Sequence, residues 1–358
     1  MDKSDKIIVG ISIGDLNGIG VEVILKTFQD KRMLDFCTPL IFGSTKAISY
    51  HKTALNIEVP IHGITSLNQI HHTKINVLNI WKEEVSITLG KPTKEAGDYA
   101  AKSPASRDFA GDYAAKSLEA GVEYLKNKKI DVLLTAPINK ETIQSDDFNF
   151  PGHTEYLEDQ LKGESLMILM TDELKIGLIT GHIPISKVAT TITPSLIKDK
   201  VETLHRSLLE DFGIQKPKIA VLALNPHCGD RGVIGKEDDE ILKPTIEEIK
   251  TSGKLVFGPY AADGFFGSKT YQLFDGVLAT YNDQGLAPFK ALSFGKGVNY
   301  TAGLSEIRTS PDHGTGYDIA GKNTANPASF KEALFTAIQV FKTRKEYKEL
   351  TKNPLQTK

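Results

Sequence analysis

Cysteine occurs only twice in the 358 residues, at Cys37 and Cys228. A disulfide framework is excluded in practice, and a reducing cytoplasm is the natural setting. An excess of one charge is also missing: 43 Lys and Arg stand against 45 Asp and Glu, for a net charge of −2. No basic stripe or tail offers itself to a nucleic acid, so any anionic ligand must be held by a few local cations. No apolar run approaches the ~18 residues that a membrane span needs. The opening MDKSDKIIVGISIG has neither an apolar signal core nor a small-residue cleavage pattern, so neither a membrane partner nor an export signal is expected.

What is present is a series of short apolar runs separated by helical segments. A chain of this length suits two domains of about 150 residues each. Strands are expected at 6–13, 38–43, 74–80, 130–136, 165–170, 175–181, 217–224 and 275–281. Several are apolar on consecutive positions, which fits strands covered on both faces in a parallel or mixed α/β sheet. The clearest helix spans 194–212, with Thr193 as N-cap, Pro194 at the first position, Ile197, Val201, Leu204 and Leu208 on one face, and Gly213 as its stop. A heptapeptide, GDYAAKS, occurs at 97–103 and again at 111–117. Two short copies do not make a repeat architecture, so a small tandem insertion is expected, broken near Pro104.

Most of the nine histidines lie in polar or helical contexts that a solvated or packed imidazole explains. His153, His182, His227 and His313 instead follow apolar runs or sit in Gly-rich turns. Ligands of α/β proteins bind beyond the carboxyl ends of strands. His182 and His227 both occupy such ends, and imidazole is a favoured ligand of divalent transition metals. A third strand end, in GVLATYNDQG, offers Asn282 and Asp283, although a turn explains that sequence equally well. Lys290, Asn299 and Arg308 lie in Gly-interrupted segments that could hold phosphate or carboxylate. The Gly-rich turn at Gly14, Gly18 and Gly20 could bring backbone N–H groups to an anion, or could simply be a tight turn.

The segment SPDHGTGYDIAGKNTANPAS (310–329) resembles a stretch of the isopropylmalate and isocitrate dehydrogenases that surrounds the adenosine end of a nicotinamide cofactor. GDLNGIG, LLTAPINK, GHTEY, TGHIP, LNPHCGD, YNDQGLAPFK, GKGVNYTAGL and RTSPDHGT follow in order over nearly the whole chain. Together they resemble the 4-hydroxythreonine-4-phosphate dehydrogenase family of pyridoxal phosphate biosynthesis. The resemblance implies two α/β/α domains with a cleft between them: 1–138 with 300–358 on the cofactor side, and 139–299 for substrate, metal and dimerisation. It implies NAD or NADP and a divalent metal (zinc, or else magnesium, cobalt or manganese). It also implies a homodimer with a shared active site.

By the same resemblance the metal ligands fall on His182, His227 and Asn282, the third expected from the partner subunit. Substrate contacts fall on His153, Thr154, Lys290, Asn299 and Arg308, and cofactor contacts on His313, Gly314, Asp318 and Asn326. His153 and Asp263 are the implied catalytic residues, Asp263 matching an acid close to the metal. The implied reaction is oxidation of 4-phosphooxy-L-threonine at C3 followed by decarboxylation. Three positions depart from the family pattern: Asn282 stands for a histidine, Leu16 for a proline and Cys228 for a small residue. Two alternatives follow: a dehydrogenase for a threonate- or erythronate-type 4-phosphate, and a metal-depleted homologue that binds ligand without turnover.

Overall fold

A computed structural model describes residues 6–92, 110–145 and 148–353. The chain divides into two compact units, Met1–Leu161 with Glu306–Ile338 and Lys162–Ser305 with Gln339–Lys358. Residues 139–161, which the expected division gave to the second domain, cluster with the first, while 300–305 and Gln339–Lys358, expected in the first, cluster with the second.

The first unit holds β1 (Ile7–Ser12), β2 (Cys37–Gly43), β3 (Ile61–Ile64), β4 (Ile75–Asn79), β5 (Val132–Thr135) and β12 (Arg308–Pro311). They lie in the order β3-β4-β2-β1-β5-β12, and all of these pairings are parallel. Every residue of β2 and β5 is buried, as consecutive apolar positions require of strands covered on both faces. The helix Ala110–Lys126 packs here through the second GDYAAKS copy. Ser117 Oγ donates to Phe42 O at 2.6 Å and accepts from Ile13 N at 3.0 Å. Gly111 lies so close to the chain that a Cβ there would fall 2.0 Å from Thr142 O. The first copy and Pro104 lie outside the described residues.

The second unit holds β6 (Gly163–Met170), β7 (Lys175–Leu178), β8 (Lys218–Leu222), β9 (Leu255–Tyr260), β10 (Gly276–Ala279) and β11 (Val298–Leu304). Their order is β11-β6-β7-β10-β8-β9. The β11–β6 and β6–β7 pairs are antiparallel, while β7, β10, β8 and β9 run parallel. Ile176, Val277, Leu222, Phe265 and Phe289 form its core. The helix Pro194–Glu210 begins as its sequence requires: Thr193 Oγ1 accepts from Leu196 N at 3.2 Å and Pro194 takes the first turn. Just past its end, the buried Asp211 accepts from Ser207 Oγ, Tyr300 OH and Arg344 Nε at 2.7, 2.6 and 2.7 Å. Arg344 also reaches Tyr300 OH and Ser305 O. Such a network is fully satisfied and costly to break from either side.

All eight expected strands are present, and β3, β9, β11 and β12 are additional. The chain around the additional strands is polar or broken by Gly and Pro. β11 carries a bulge at Gly303, and β12, Arg-Thr-Ser-Pro, is buried without containing an apolar run.

Candidate active site

In the second unit the parallel set β7-β10-β8-β9 brings four loops to one carboxyl edge. His182 lies just beyond β7, Asn282 beyond β10, His227 beyond β8 and Asp263 beyond β9. Asn282 therefore occupies the strand end between those of the two histidines. His182, His227 and Asp263 are exposed and Asn282 is half-buried. Beneath them the strand ends are tied together. Thr180 gives its N–H and its hydroxyl to Thr280 O, at 3.3 and 2.7 Å. Thr280 in turn presents its N–H and hydroxyl to Gln284 Oε1, at 2.8 and 2.9 Å, and Gln284 Nε2 donates to Ala223 O at 2.6 Å. One glutamine thus fixes the spacing of the β7, β10 and β8 ends.

The loop carrying His227 has an unusual backbone. His227, Cys228, Gly229, Asp230 and Arg231 all have positive φ, from 43 to 78°. For a non-glycine residue the left-handed conformation costs about 1–2 kcal/mol, so such a run persists only where its surroundings impose it. The Cys228 thiol donates to Pro259 O at 3.5 Å, and burial pushes its pKa up. That thiol is therefore poorly suited to act as a thiolate ligand.

Whether this edge suits a divalent cation depends on its donors. His182, His227 and Asn282 offer two imidazoles and an amide oxygen. Among the described residues no group of three or more His, Cys, Asp or Glu side chains could hold a metal. Asp263 and Asp283 therefore do not complete a set with the two histidines. The pair fits a metal whose remaining positions are filled by an amide, by substrate or by donors outside this chain.

Lys290 is exposed further along the helix Asn282–Ser293. Asn299 is half-buried on β11, and its Oδ1 is buried without a hydrogen-bond partner. A buried polar atom left unsatisfied needs an explanation, and a missing ligand is one.

The first unit holds the other expected residues. Arg308, at the start of β12, is 1% exposed, and its Nε and Nη2 both donate to Thr135 Oγ1, at 3.0 and 2.6 Å. Burial pulls its pKa down to about 9, with the Glu155 charge opposing. A buried guanidinium is suited to bidentate contact with an anion. His153 opens the helix His153–Gln160 with Thr154 beside it. Its Nε2 is buried and unpartnered. Burial first, and then the charges of Arg308 and Lys140, hold its pKa well below the usual histidine range, so the ring is neutral near pH 7. Lys140 and Glu155, which lie in the LLTAPINK and GHTEY motifs without having been assigned a role, are thus part of this electrostatic environment.

His313 Nδ1 lies 3.0 Å from Gly314 O, and its Nε2 is buried without a partner. Gly314 is open on its Cβ side. Asp318 and Asn326 are exposed, and Asn326 Oδ1 accepts from Ala328 N at the start of the last helix. Asn326 therefore already has a local capping role.

Four N–H groups of the early Gly-rich turn, those of Asp15, Asn17, Gly18 and Ile19, are engaged within the chain. Asp15 N bonds Pro137 O, Gly18 N bonds Asp15 O and Ile19 N bonds Thr315 O. Asp15 is buried and accepts from Asn17 N, Thr142 Oγ1 and Tyr317 OH. This turn is a dock for the loop after His313, and a Cβ at Gly18 would fall 2.6 Å from Thr315 O.

The class these features define is an α/β protein with ligand-binding groups at the carboxyl ends of parallel strands. The family model for the pyridoxal phosphate biosynthetic protein PdxA matches residues 35–337, and the chain belongs to that family. It is 48% identical over 355 residues, 99% of this chain and 94% of the relative, to a protein named 4-hydroxythreonine-4-phosphate dehydrogenase from Bacteroides thetaiotaomicron. It is 34% identical, over 95% of this chain and all of the relative, to a putative D-threonate 4-phosphate dehydrogenase from Oceanobacillus iheyensis. A crystal structure of a 4-hydroxythreonine-4-phosphate dehydrogenase from Burkholderia phymatum superposes with a TM-score of 0.73 at 32% identity, covering 94% of this chain and 98% of that one. The fold is the isocitrate/isopropylmalate dehydrogenase-like α/β fold that the sequence led us to expect.

Proposed function

We propose that this protein is a 4-hydroxythreonine-4-phosphate dehydrogenase. It oxidises 4-phosphooxy-L-threonine at C3, and the resulting β-keto acid loses CO2 to give 3-amino-2-oxopropyl phosphate in pyridoxal phosphate biosynthesis. The observation that carries the reading is the match to the PdxA family over residues 35–337. His153 Nε2, Asn299 Oδ1 and His313 Nε2, which are buried without a hydrogen-bond partner among the described residues, support it, because the family resemblance assigns those residues to substrate or cofactor.

When bound, NAD or NADP supplies the hydride acceptor and a divalent cation polarises the hydroxyl. The chain's own residues do the rest. Arg308, with Lys290 and Asn299, holds charged ends of the substrate. Neutral His153, beside Thr154, can accept or pass on a proton without competing with Arg308 for the anion. His182, His227 and Asn282 are the metal donors, with Asp263 close by on the same edge. His313, Gly314, Asp318 and Asn326 meet the adenosine part of the cofactor. We place the reaction in the cytoplasm and in a homodimer. Ile185, Val233 and Ile234 support the dimer: they are 70, 81 and 46% exposed beside the His182 and His227 loops, where apolar side chains call for a covering surface.

Two observations keep two further readings. The similarity to a threonate-type relative favours a hydroxy-acid substrate, and Asn282 favours weakened metal binding. Reduction of NAD or NADP with each substrate, with zinc, magnesium or manganese added, tests all three. Turnover of the amino acid phosphate is expected. Turnover of the hydroxy acid alone rejects the first reading, and inactivity with every metal favours the binding-protein alternative.

A further inference from the structure

We propose that Asp238 is a positioning residue whose buried carboxylate clamps the left-handed turn His227–Arg231 and so fixes the His227 imidazole at the strand edge. The proposal rests on the reading of His227 as a metal ligand.

The turn needs something to impose it, since four of its five residues carry a Cβ at positive φ. Asp238 is fully buried. Its Oδ1 accepts from Leu224 N at 2.8 Å, and its Oδ2 accepts from Asn225 N at 2.9 Å and from Asn225 Nδ2 at 3.0 Å. These donors lie between the end of β8 and the turn, so the carboxylate anchors the chain where it leaves the sheet. Asn225 passes the restraint on: its carbonyl accepts from Cys228 N at 3.2 Å, and its Nδ2 also reaches Glu237 Oε2 at 2.9 Å. On the far side, Ile234 N bonds Gly229 O at 3.0 Å. A Cβ at Gly229 would fall 2.3 Å from Gly235 O, so the returning chain closes against the turn.

The residue at 238 must be an acid. Three N–H groups converge on two oxygens, and an amide would turn an NH2 toward one of them. Asp238 also opens a single π-helical turn, Asp238–Leu242, a distortion that often accompanies functional sites. Because both of its oxygens are committed to the chain, Asp238 acts through His227 and not as a ligand itself.

The test is zinc binding to the full-length apoprotein, with zinc alone as probe and a chromophoric chelator as competitor. His227→Ala should lose tight binding. Asp238→Asn should keep its circular dichroism but bind zinc about 10–100-fold more weakly, the usual consequence of removing a residue that orients a ligand. Asp211→Asn is the control: it damages a buried carboxylate network in the same unit, should lower the melting temperature, and should leave zinc affinity unchanged. A folded Asp238→Asn with wild-type affinity overturns the clamp, as does an equal loss in Asp211→Asn. If Asp238→Asn does not fold, Asn225→Ala takes its place, and unchanged zinc affinity there overturns the proposal. Should His227→Ala bind zinc like the wild type, the ligand reading falls and the clamp falls with it.

Discussion

Arg308 is buried with its Nε and Nη2 on the Thr135 hydroxyl, and its planar fork suits bidentate contact with an anion. Arg308→Lys keeps the charge opposite Glu155 but loses the fork. Initial rates should show kcat/KM lower by at least about tenfold, mostly through KM, with little change in melting temperature. His51 makes a different prediction. It is fully buried in the helix Thr45–Ala54, and burial pushes its pKa down to about 4. The fold therefore favours the neutral ring. Stability is complete above about pH 6.5, and roughly 3 kcal/mol of it is lost as pH falls toward 4, where the unfolded chain takes up the proton first. Denaturant unfolding at several pH values should show this slope, and His51→Leu should flatten it. At this scale the sequence displayed the imidazoles but not their supports. Asp238, Gln284 and Asp15 each tie segments that are apart in sequence, through Leu224, Ala223 and Tyr317, so no local spacing announces that role.

Among the elements, apolar runs revealed the strands that carry the core. They did not reveal β11 and β12, which are buried without a continuous apolar run, or β9, whose apolar run Leu255–Phe257 is cut short by Gly258 and Pro259. The left-handed turn was equally hidden: His227 and Asp230 are types that tolerate positive φ, but singly, and nothing in the sequence announces five consecutive residues there. The duplicated heptapeptide offers the clearest test at this scale. Gly111, Tyr113, Ala114 and Ser117 of the second copy are all buried in the helix Ala110–Lys126. One copy is enough to fill that place. Deleting residues 97–110 should therefore leave turnover unchanged and shift the melting temperature by no more than about 2 °C, about 1.5 kcal/mol for a chain this long. A large loss in thermal unfolding would show that both copies are required.

For the whole molecule, the family and the α/β class were legible because many short motifs recur in order along the chain. The exact division into units was not, because boundaries fall where no Gly- or Ser-rich linker marks them. The proposed dimer gives the prediction that belongs here. Val233→Glu combined with Ile185→Glu places charge on the exposed apolar residues beside both histidine loops. Sedimentation should show the wild type as a dimer and the double variant as a monomer with little turnover; a wild-type monomer would remove the shared-site model. The order of the chain has a further consequence, for synthesis on the ribosome. The first unit lacks β12 until Glu306–Ile338 has been made, and the second lacks Arg344, the partner of Asp211, until later still. Neither unit can finish folding before those residues have left the exit tunnel, so the stretch from Glu306 to Arg344 closes both.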